Sequence, residues 1–422
     1  MYKRQFYDLH CEQVDFLTAF LNGTLSQPVY MEQPPGFAKQ GPEGEALVCE
    51  VVKGLYGLKQ SAREWFKTIT SFLRELGFAA CPADECVMIQ GDVLTGIVCT
   101  LYVDDFKIIS SDMSQISKLK KQLAQRFKIT DMGPVQWYLG IAVKRDRKAR
   151  TINLSQKSYF KEVLTEFDFA EGRTAATPAK PGEYLSRQPE YLQASEQEVK
   201  HYQQLLGSIT YAAIETRPDL AYATGVTAQF AHNPSPVHLT ALKAQLRYLR
   251  GTTDYSITYG GTGTDTLTLE AYSDADWGGD RDTRKSTSGY LFMLNGGPVS
   301  WSSKRQATVA LSTTEAEYMA LKEAIKEASW IRQFFADLGL NENQAIAVNC
   351  DNKGAIALGK NPEFHKRTKH IDIQYHYVRQ EIDSGRITTP YLETSKMLAD
   401  ALTKPVPGPT FKKFVKDLRL NL

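Results

Sequence analysis

The sequence predicts mixed α and β structure in three consecutive parts, the last of them an α/β unit. Three observations carry this. Tyr102-Val103-Asp104-Asp105 lies between two short apolar runs, Gly96 to Leu101 and Phe106 to Ile109, so two paired strands should meet at an acidic bend. Gly260-Gly261-Thr262-Gly263 marks a boundary. Beyond it, segments patterned as strand, hairpin, helix and strand follow in order, with acids at their ends.

Composition bounds the problem. At 422 residues the chain should hold two or three domains. With 42% hydrophobic and 23% charged residues it is of ordinary globular type. A net charge of +2 announces no polyanion partner, but two basic clusters could meet phosphates: Lys144 to Arg150, and Phe411 to Leu422. Solvated turns are the plainer reading of each. The six cysteines form no zinc or disulfide framework, which suits a reducing compartment. No stretch approaches 18 apolar residues and no signal sequence opens the chain, so a soluble, intracellular protein with no membrane partner is expected.

The elements follow in order. The first part, to about Ser111, alternates strands and helices around the acidic bend. Ile116 to Phe127 is patterned as a helix, and Trp137 to Val143 with Thr151 to Leu154 as a hairpin across the basic turn. Gly172 to Gln197 is rich in Pro, Ser, Thr and Glu and reads as an extended connection. Helices should cover Tyr202 to Tyr211, Leu220 to Ala231 and Pro236 to Leu249. In the last part, a strand over Leu267 to Tyr272 leads to Asp274. Asn295-Gly296-Gly297 turns a hairpin between Gly289 to Leu294 and Val299 to Ser303. Ser312-Thr313-Thr314-Glu315 reads as a capping box opening a helix that stops at Gly339. A strand from Ala345 ends at Asp351. A helical stretch, a basic segment, a strand over Arg386 to Leu392 and a short helix through Asp400 complete the chain.

Two sets of acids stand out. Asp104 and Asp105 sit beside buried strands, where ionised carboxylates need compensation; divalent metals would supply it, although an acidic β-turn is the plain alternative. In the last part, Asp274 and Asp351 close strands, Glu317 heads the stripe Leu321, Ala324 and Ala328, and Asp400 lies among apolar neighbours. Each acid alone reads as a cap or solvated residue. Together, in this order, they would repel one another without cations, and Mg²⁺ would resolve that.

From Asp274 onward the chain resembles the ribonuclease H domain of copia-type retrotransposon polyproteins. The matching residues are Tyr272-Ser273-Asp274-Ala275-Asp276-Trp277, Ser286 to Tyr290, Trp301 to Lys304, Ser312 to Tyr318, Cys350-Asp351-Asn352, His365 to Asp372, and Leu398 to Lys404. The resemblance implies metal-binding roles for Asp274, Glu317, Asp351 and Asp400, with Glu315 and Asp276 as near-neighbour alternatives. Tyr391 to Ser395 carries no His before the last acid, so a proton-shuttling residue is unassigned.

The first part is similar to the reverse transcriptase of the same family. Val14-Asp15-Phe16 to Gly23 matches the first metal-ligand strand, so Asp15 would join Asp104 and Asp105 around two Mg²⁺ ions, with Mn²⁺ as a substitute. Phe20 matches the residue that excludes a ribose 2′-hydroxyl, with a core Phe as the alternative. Gly54 to Trp65 matches the segment along the nascent pair, with Gln60 nearest the nucleotide. Tyr102 belongs to the acidic turn, and Trp137, Tyr138 and Gly140 match a primer-gripping hairpin. Arg217-Pro218-Asp219 and Leu246 to Thr252 match the connection region.

The implied fold is an α+β polymerase palm over residues 1–115, a thumb and connection over 116–265, and an α/β ribonuclease H-like domain over 266–422. Implied partners are an RNA template, a DNA primer, dNTPs and RNA–DNA hybrid. Implied locations are a cytoplasmic particle or the nucleus. Only 14 residues precede Asp15. The expectation is therefore an N-terminally truncated palm whose fingers are missing, with impaired polymerisation beside a complete nuclease. Nuclease activity alone, or a non-catalytic nucleic-acid-binding relic, are the competing expectations.

Overall fold

The computed structural model describes residues 8–263, 267–340, 344–360 and 372–420. Four sheets organise it. The first is a six-stranded antiparallel sheet in the order β4-β5-β6-β7-β1-β8. Its strands are β1 (His10–Phe16), β4 (Ala79–Cys81), β5 (Asp84–Gln90), β6 (Ile97–Tyr102), β7 (Asp105–Ser110) and β8 (Ile129–Pro134). β6 and β7 are the two apolar runs expected around the acidic bend. Helices α1 (Ser61–Glu75) and α2 (Met113–Arg126) supply Trp65, Ile69, Leu73, Ile116, Leu119 and Leu123 to the core on this sheet. Asp112 caps α2 by accepting from the Ser114 amide at 2.7 Å. A separate two-stranded ribbon, β2 (Thr24–Glu32) with β3 (Val48–Lys53), extends beside α1.

The expected strand over Trp137 to Val143 is broken. β9 (Trp137–Tyr138) and β10 (Ile141–Asp146) pair across a turn in which Leu139 and Gly140 both take positive φ, 48° and 73°. The Tyr211 hydroxyl holds that turn by donating to the Leu139 carbonyl at 2.6 Å. β11 (Thr151–Ser155) and the distant β12 (Ile257–Gly260) complete this four-stranded sheet. The basic turn after β10 is not a free phosphate contact throughout. Arg145 and Arg147 pair with Asp8 at 2.6 and 3.1 Å.

Helices α3 (Lys157–Glu166), α4 (Glu196–Glu215), α5 (Ala221–Ala228) and α6 (Pro236–Gly251) follow. The start of α4 is a capping box of Ser195 and Glu198, and Ser235 with His238 caps α6 in the same way. A short 3₁₀ turn, Pro218–Leu220, precedes α5. Arg217, just before it, and Asp219 within it form a fully buried ion pair at 2.7 Å, closed by the Tyr248 hydroxyl on Asp219 at 2.6 Å.

The last sheet has the order β15-β14-β13-β16-β17. β13 (Leu269–Ala275), β14 (Thr287–Leu294) and β15 (Gly297–Arg305) are antiparallel, while β16 (Ile346–Cys350) and β17 (Ile387–Thr388) run parallel to β13 and to each other. Asn295 and Gly296, at φ 46° and 83°, make the expected β14–β15 turn. Helix α7 (Thr313–Asp337) crosses the sheet and buries Leu321, Ala324, Ala328 and Ile331. Ser312 caps it, but Glu315 returns to the Leu311 amide rather than to Ser312, so the box is not reciprocal. α8 (Lys353–Lys360) and α9 (Asp372–Asp383) pack beside α7. The last expected strand is shorter than Arg386 to Leu392, because Pro390 has no amide proton for the ladder. Contact resumes where the Leu392 amide meets the Cys350 carbonyl at 3.0 Å. The basic motif from His365 lies outside the described residues, apart from the backbone of Asp372.

The C-terminal helix α10 (Gly408–Asp417) explains the second basic cluster. Phe411, Phe414 and Val415 face inward while Lys412, Lys413 and Lys416 are exposed. The inward residues join a core with Phe160, Tyr202, Leu246, Leu291 and Leu402. Parts of the segments between Phe160 and Tyr259 and between Leu291 and Leu420 therefore share one core.

Candidate active sites

The first acidic set is built by strand register. Asp15 at the end of β1 stands opposite Asp105 at the start of β7. The tight turn between β6 and β7 holds Val103, a β-branched residue, at a strained φ of 55°. The Trp65 indole N–H donates to the Val103 carbonyl at 2.6 Å and holds it there. Asp105 accepts from the Gln13 amide at 2.9 Å, and Asp104 from the Tyr56 hydroxyl at 3.4 Å. Burial, then the Asp104 and Asp105 charges, raise the Asp15 carboxyl above its usual range. All three acids are only partly buried.

The neighbouring residues fall on both sides of this set. Phe20 packs on Tyr56 with ring centroids 4.4 Å apart, and Gln60 sits at the N-terminus of α1. Tyr102 and Trp137 are exposed. Tyr138 lies under the ammonium of Lys107, a buried residue two positions after Asp105 on the same strand face. Burial pulls that ammonium down to about 7, against the pull of Cys11 and Asp105. Tyr56 and Trp65 lie within the matched Gly54 to Trp65 segment without a role assigned to them there, and Gln13 and Lys107 lie outside the site residues the sequence singles out. The alternation of a strand could have flagged Lys107, two positions after Asp105.

The second set converges more tightly. Parallel pairing of β13 with β16 places Ser273 beside Cys350, so Asp274 and Asp351 leave neighbouring strands together. Glu317 descends from the second turn of α7 onto the same strand ends. Ligand oxygens of Asp274, Glu317 and Asp351 lie within 4.8 Å of one another; among the described residues, no other group of three or more acids, His or Cys does so. Asp274 is 3% exposed and Glu317 7%. Burial first, and then neighbouring carboxylates, push both acids well up.

The remaining acids divide by their partners. Asp400, on the 3₁₀ turn Leu398–Leu402, is not within this group of three; it pairs with Lys404 at 2.5 Å. Asp276 turns away to accept the Thr287 amide, and burial lifts it to about 6. Glu315 caps α7. Neither alternative acid reaches the cluster. Two threonines absent from the expected site support it: Thr403 donates to Asp274, and Thr394 to Asp351 at 2.6 Å. Gly289, opposite Asp274, lets the last turn approach, since a Cβ there would lie 2.8 Å from the Thr403 methyl.

The donor set suits a hard divalent cation. It offers carboxylate oxygens only, and Glu317 Oε2 is buried with no hydrogen-bond partner among the described residues. A buried carboxyl oxygen with no partner is costly, and can ionise only if a cation answers it.

Comparison with known proteins gives the chain's family. Residues 5–181 match the reverse transcriptase (RNA-dependent DNA polymerase) family. The chain is a reverse transcriptase-family protein with a second, buried cluster of acids beyond the matched region. It is 42% identical over 409 residues to the retrovirus-related Pol polyprotein from transposon TNT 1-94 of Nicotiana tabacum, covering 96% of this chain and 30% of that protein. It is 38% identical over 407 residues to the corresponding polyprotein from transposon RE1 of Arabidopsis thaliana, covering 96% and 27%. The chain belongs to the Pol polyproteins of copia-type retrotransposons, and it spans less than a third of these relatives' length. A solved foamy viral protease–reverse transcriptase in complex with RNA/DNA hybrid covers 94% of this chain and 45% of that one, at TM-score 0.46 and 15% identity. Among the described residues, no helix is long and apolar enough to cross a membrane.

Proposed function

We propose that this chain is the reverse transcriptase–ribonuclease H portion of a copia-type Pol protein. In this reading residues 1–115, together with the rest of α2 and β8 that pack on and pair with the same sheet, are the polymerase palm; the remainder of 116–265 is the thumb and connection, and 266–422 a nuclease that cuts the RNA strand of RNA–DNA hybrids. The observation that carries it is the convergence of Asp274, Glu317 and Asp351 around an unmatched buried oxygen. Asp274, Glu317, Asp351 and Asp400 would hold divalent cations, Mg²⁺ or Mn²⁺, two per site. When bound, these activate a hydroxyl nucleophile and neutralise charge developing on phosphate.

The protein's own side chains do the rest. Thr403 and Thr394 fix the carboxylates, and a scissile phosphodiester would approach the ends of β13 and β16. Asp15, Asp104 and Asp105 would play the ligand role in the palm, toward an RNA template, a DNA primer and dNTPs. Phe20 on Tyr56 would bound the sugar pocket, Gln60 and Tyr102 would line the nucleotide's path, and the Trp137-Tyr138-Leu139-Gly140 turn would steady the primer. Hybrid recognition by phosphate and 2′-hydroxyl contacts should weaken with salt and show little sequence preference.

A second reading keeps only the nuclease. Asp15, Asp104 and Asp105 are not drawn into a tight group, which favours it. The test gives purified chain a labelled RNA–DNA hybrid and, separately, a primed RNA template with dNTPs and Mg²⁺. Hybrid cleavage lost in Asp351→Asn supports the nuclease, and cleavage that survives refutes it. Primer extension lost in Asp104→Asn supports the full reading, and no extension by wild type leaves the nuclease alone.

A further inference from the structure

Lys404 is a cation built into the nuclease acids. It follows Asp400 by one helical turn and pairs with its Oδ1 at 2.5 Å, on a side chain 48% exposed. The Asp274 and Asp351 carboxylates act on the same ammonium from β13 and from the end of β16. It is thus within electrostatic reach of the carboxylates on three separate elements. A bound divalent cation would repel it, because both charges compete for the same acids. The lysine stem is long and flexible and half in solvent.

We propose that Lys404 is a two-position cation: docked on Asp400 it neutralises the metal-free acids, and displaced outward it contacts a backbone phosphate of the hybrid beside the cut. This rests on the nuclease reading above. It assigns Lys404 a substrate contact rather than a brace for Asp400, and the two roles have opposite consequences. A brace helps metal binding, whereas a competing cation hinders it.

The test uses the full chain with Lys404→Met, which keeps the stem and removes the charge, and Lys404→Arg, which keeps the charge. Mn²⁺ binding to substrate-free protein is read by electron paramagnetic resonance. Lys404→Met should bind Mn²⁺ more tightly by roughly fivefold, the scale of a half-screened unit charge. At saturating Mg²⁺, its KM for a hybrid should rise, and the slope of log KM against log salt should flatten by about 0.9 for one lost phosphate contact. Lys404→Arg should stay near wild type in both. Weaker Mn²⁺ binding in Lys404→Met, or an unchanged KM and salt slope, overturns the proposal. Should Lys404→Met fail to fold, Lys404→Gln is read in the same way. Cleavage surviving in Asp351→Asn would instead strike the nuclease reading itself.

Discussion

The two acidic sites use the same residue types and solve opposite problems. Asp15, Asp104 and Asp105 sit on a hairpin edge, partly open to water, with Gln13 and Tyr56 as donors. Asp274 and Glu317 are buried at the strand ends of a covered sheet, and one Glu317 oxygen has no described donor. Water screens the first set, so it can exist without a cation. The second set can remain charged only at a cost that a divalent ion would relieve. Burial, more than acid count, separates an acidic edge from a metal-ready centre.

The largest effect that could break this contrast is on chemistry. Glu317→Gln should lower hybrid cleavage by roughly a thousandfold, since several kcal/mol of charge stabilisation is lost with a metal ligand. The same change should stabilise the metal-free protein at pH 8 by about 1 kcal/mol or more, by removing a buried carboxylate. Cleavage rates and urea unfolding in EDTA check both directions.

The next effect is on pH. Folding raises the Asp274 and Glu317 carboxyls, so the native state holds protons that the unfolded chain has released. Stability in EDTA should therefore be fullest below the ordinary carboxylate range and decline as pH rises through neutrality toward the raised values. Mg²⁺ should flatten that decline. Melting temperature against pH, with and without Mg²⁺, reads it directly.

Gly289→Ala tests the closeness of the last turn. The new methyl would press on Thr403, Leu402 and the Ala399 carbonyl, at 2.8, 3.0 and 3.2 Å. We expect a loss of about 1–3 kcal/mol with weaker metal binding, measured by unfolding and by Mn²⁺ titration. The smallest effect belongs to the open site: Asp15→Asn should shift the melting temperature by less than about 2 °C.

The same contrast explains what could be read in advance. Strands on either side of Asp104-Asp105, the Asn295-Gly296 turn and the α7 stripe are local patterns, and each was legible. The order of Asp274, Glu317, Asp351 and Asp400 was legible as well. Their unequal arrangement was not, because it depends on the Thr403 and Thr394 hydroxyls and on the absent side chain at Gly289. Leu139-Gly140 interrupted an apolar run through a tertiary bond from Tyr211. Arg145 and Arg147 found Asp8 from far along the chain. The common core of Phe160, Leu291 and Phe411 joins segments whose sequences announce separate parts. Nonlocal contacts of these kinds leave no periodicity behind.

Counting Mn²⁺ bound to the substrate-free chain by electron paramagnetic resonance tests the contrast most directly. The account predicts that tight binding is lost in Glu317→Gln and Asp274→Asn and kept in Asp104→Asn. Binding lost in Asp104→Asn and kept in the other two would contradict it.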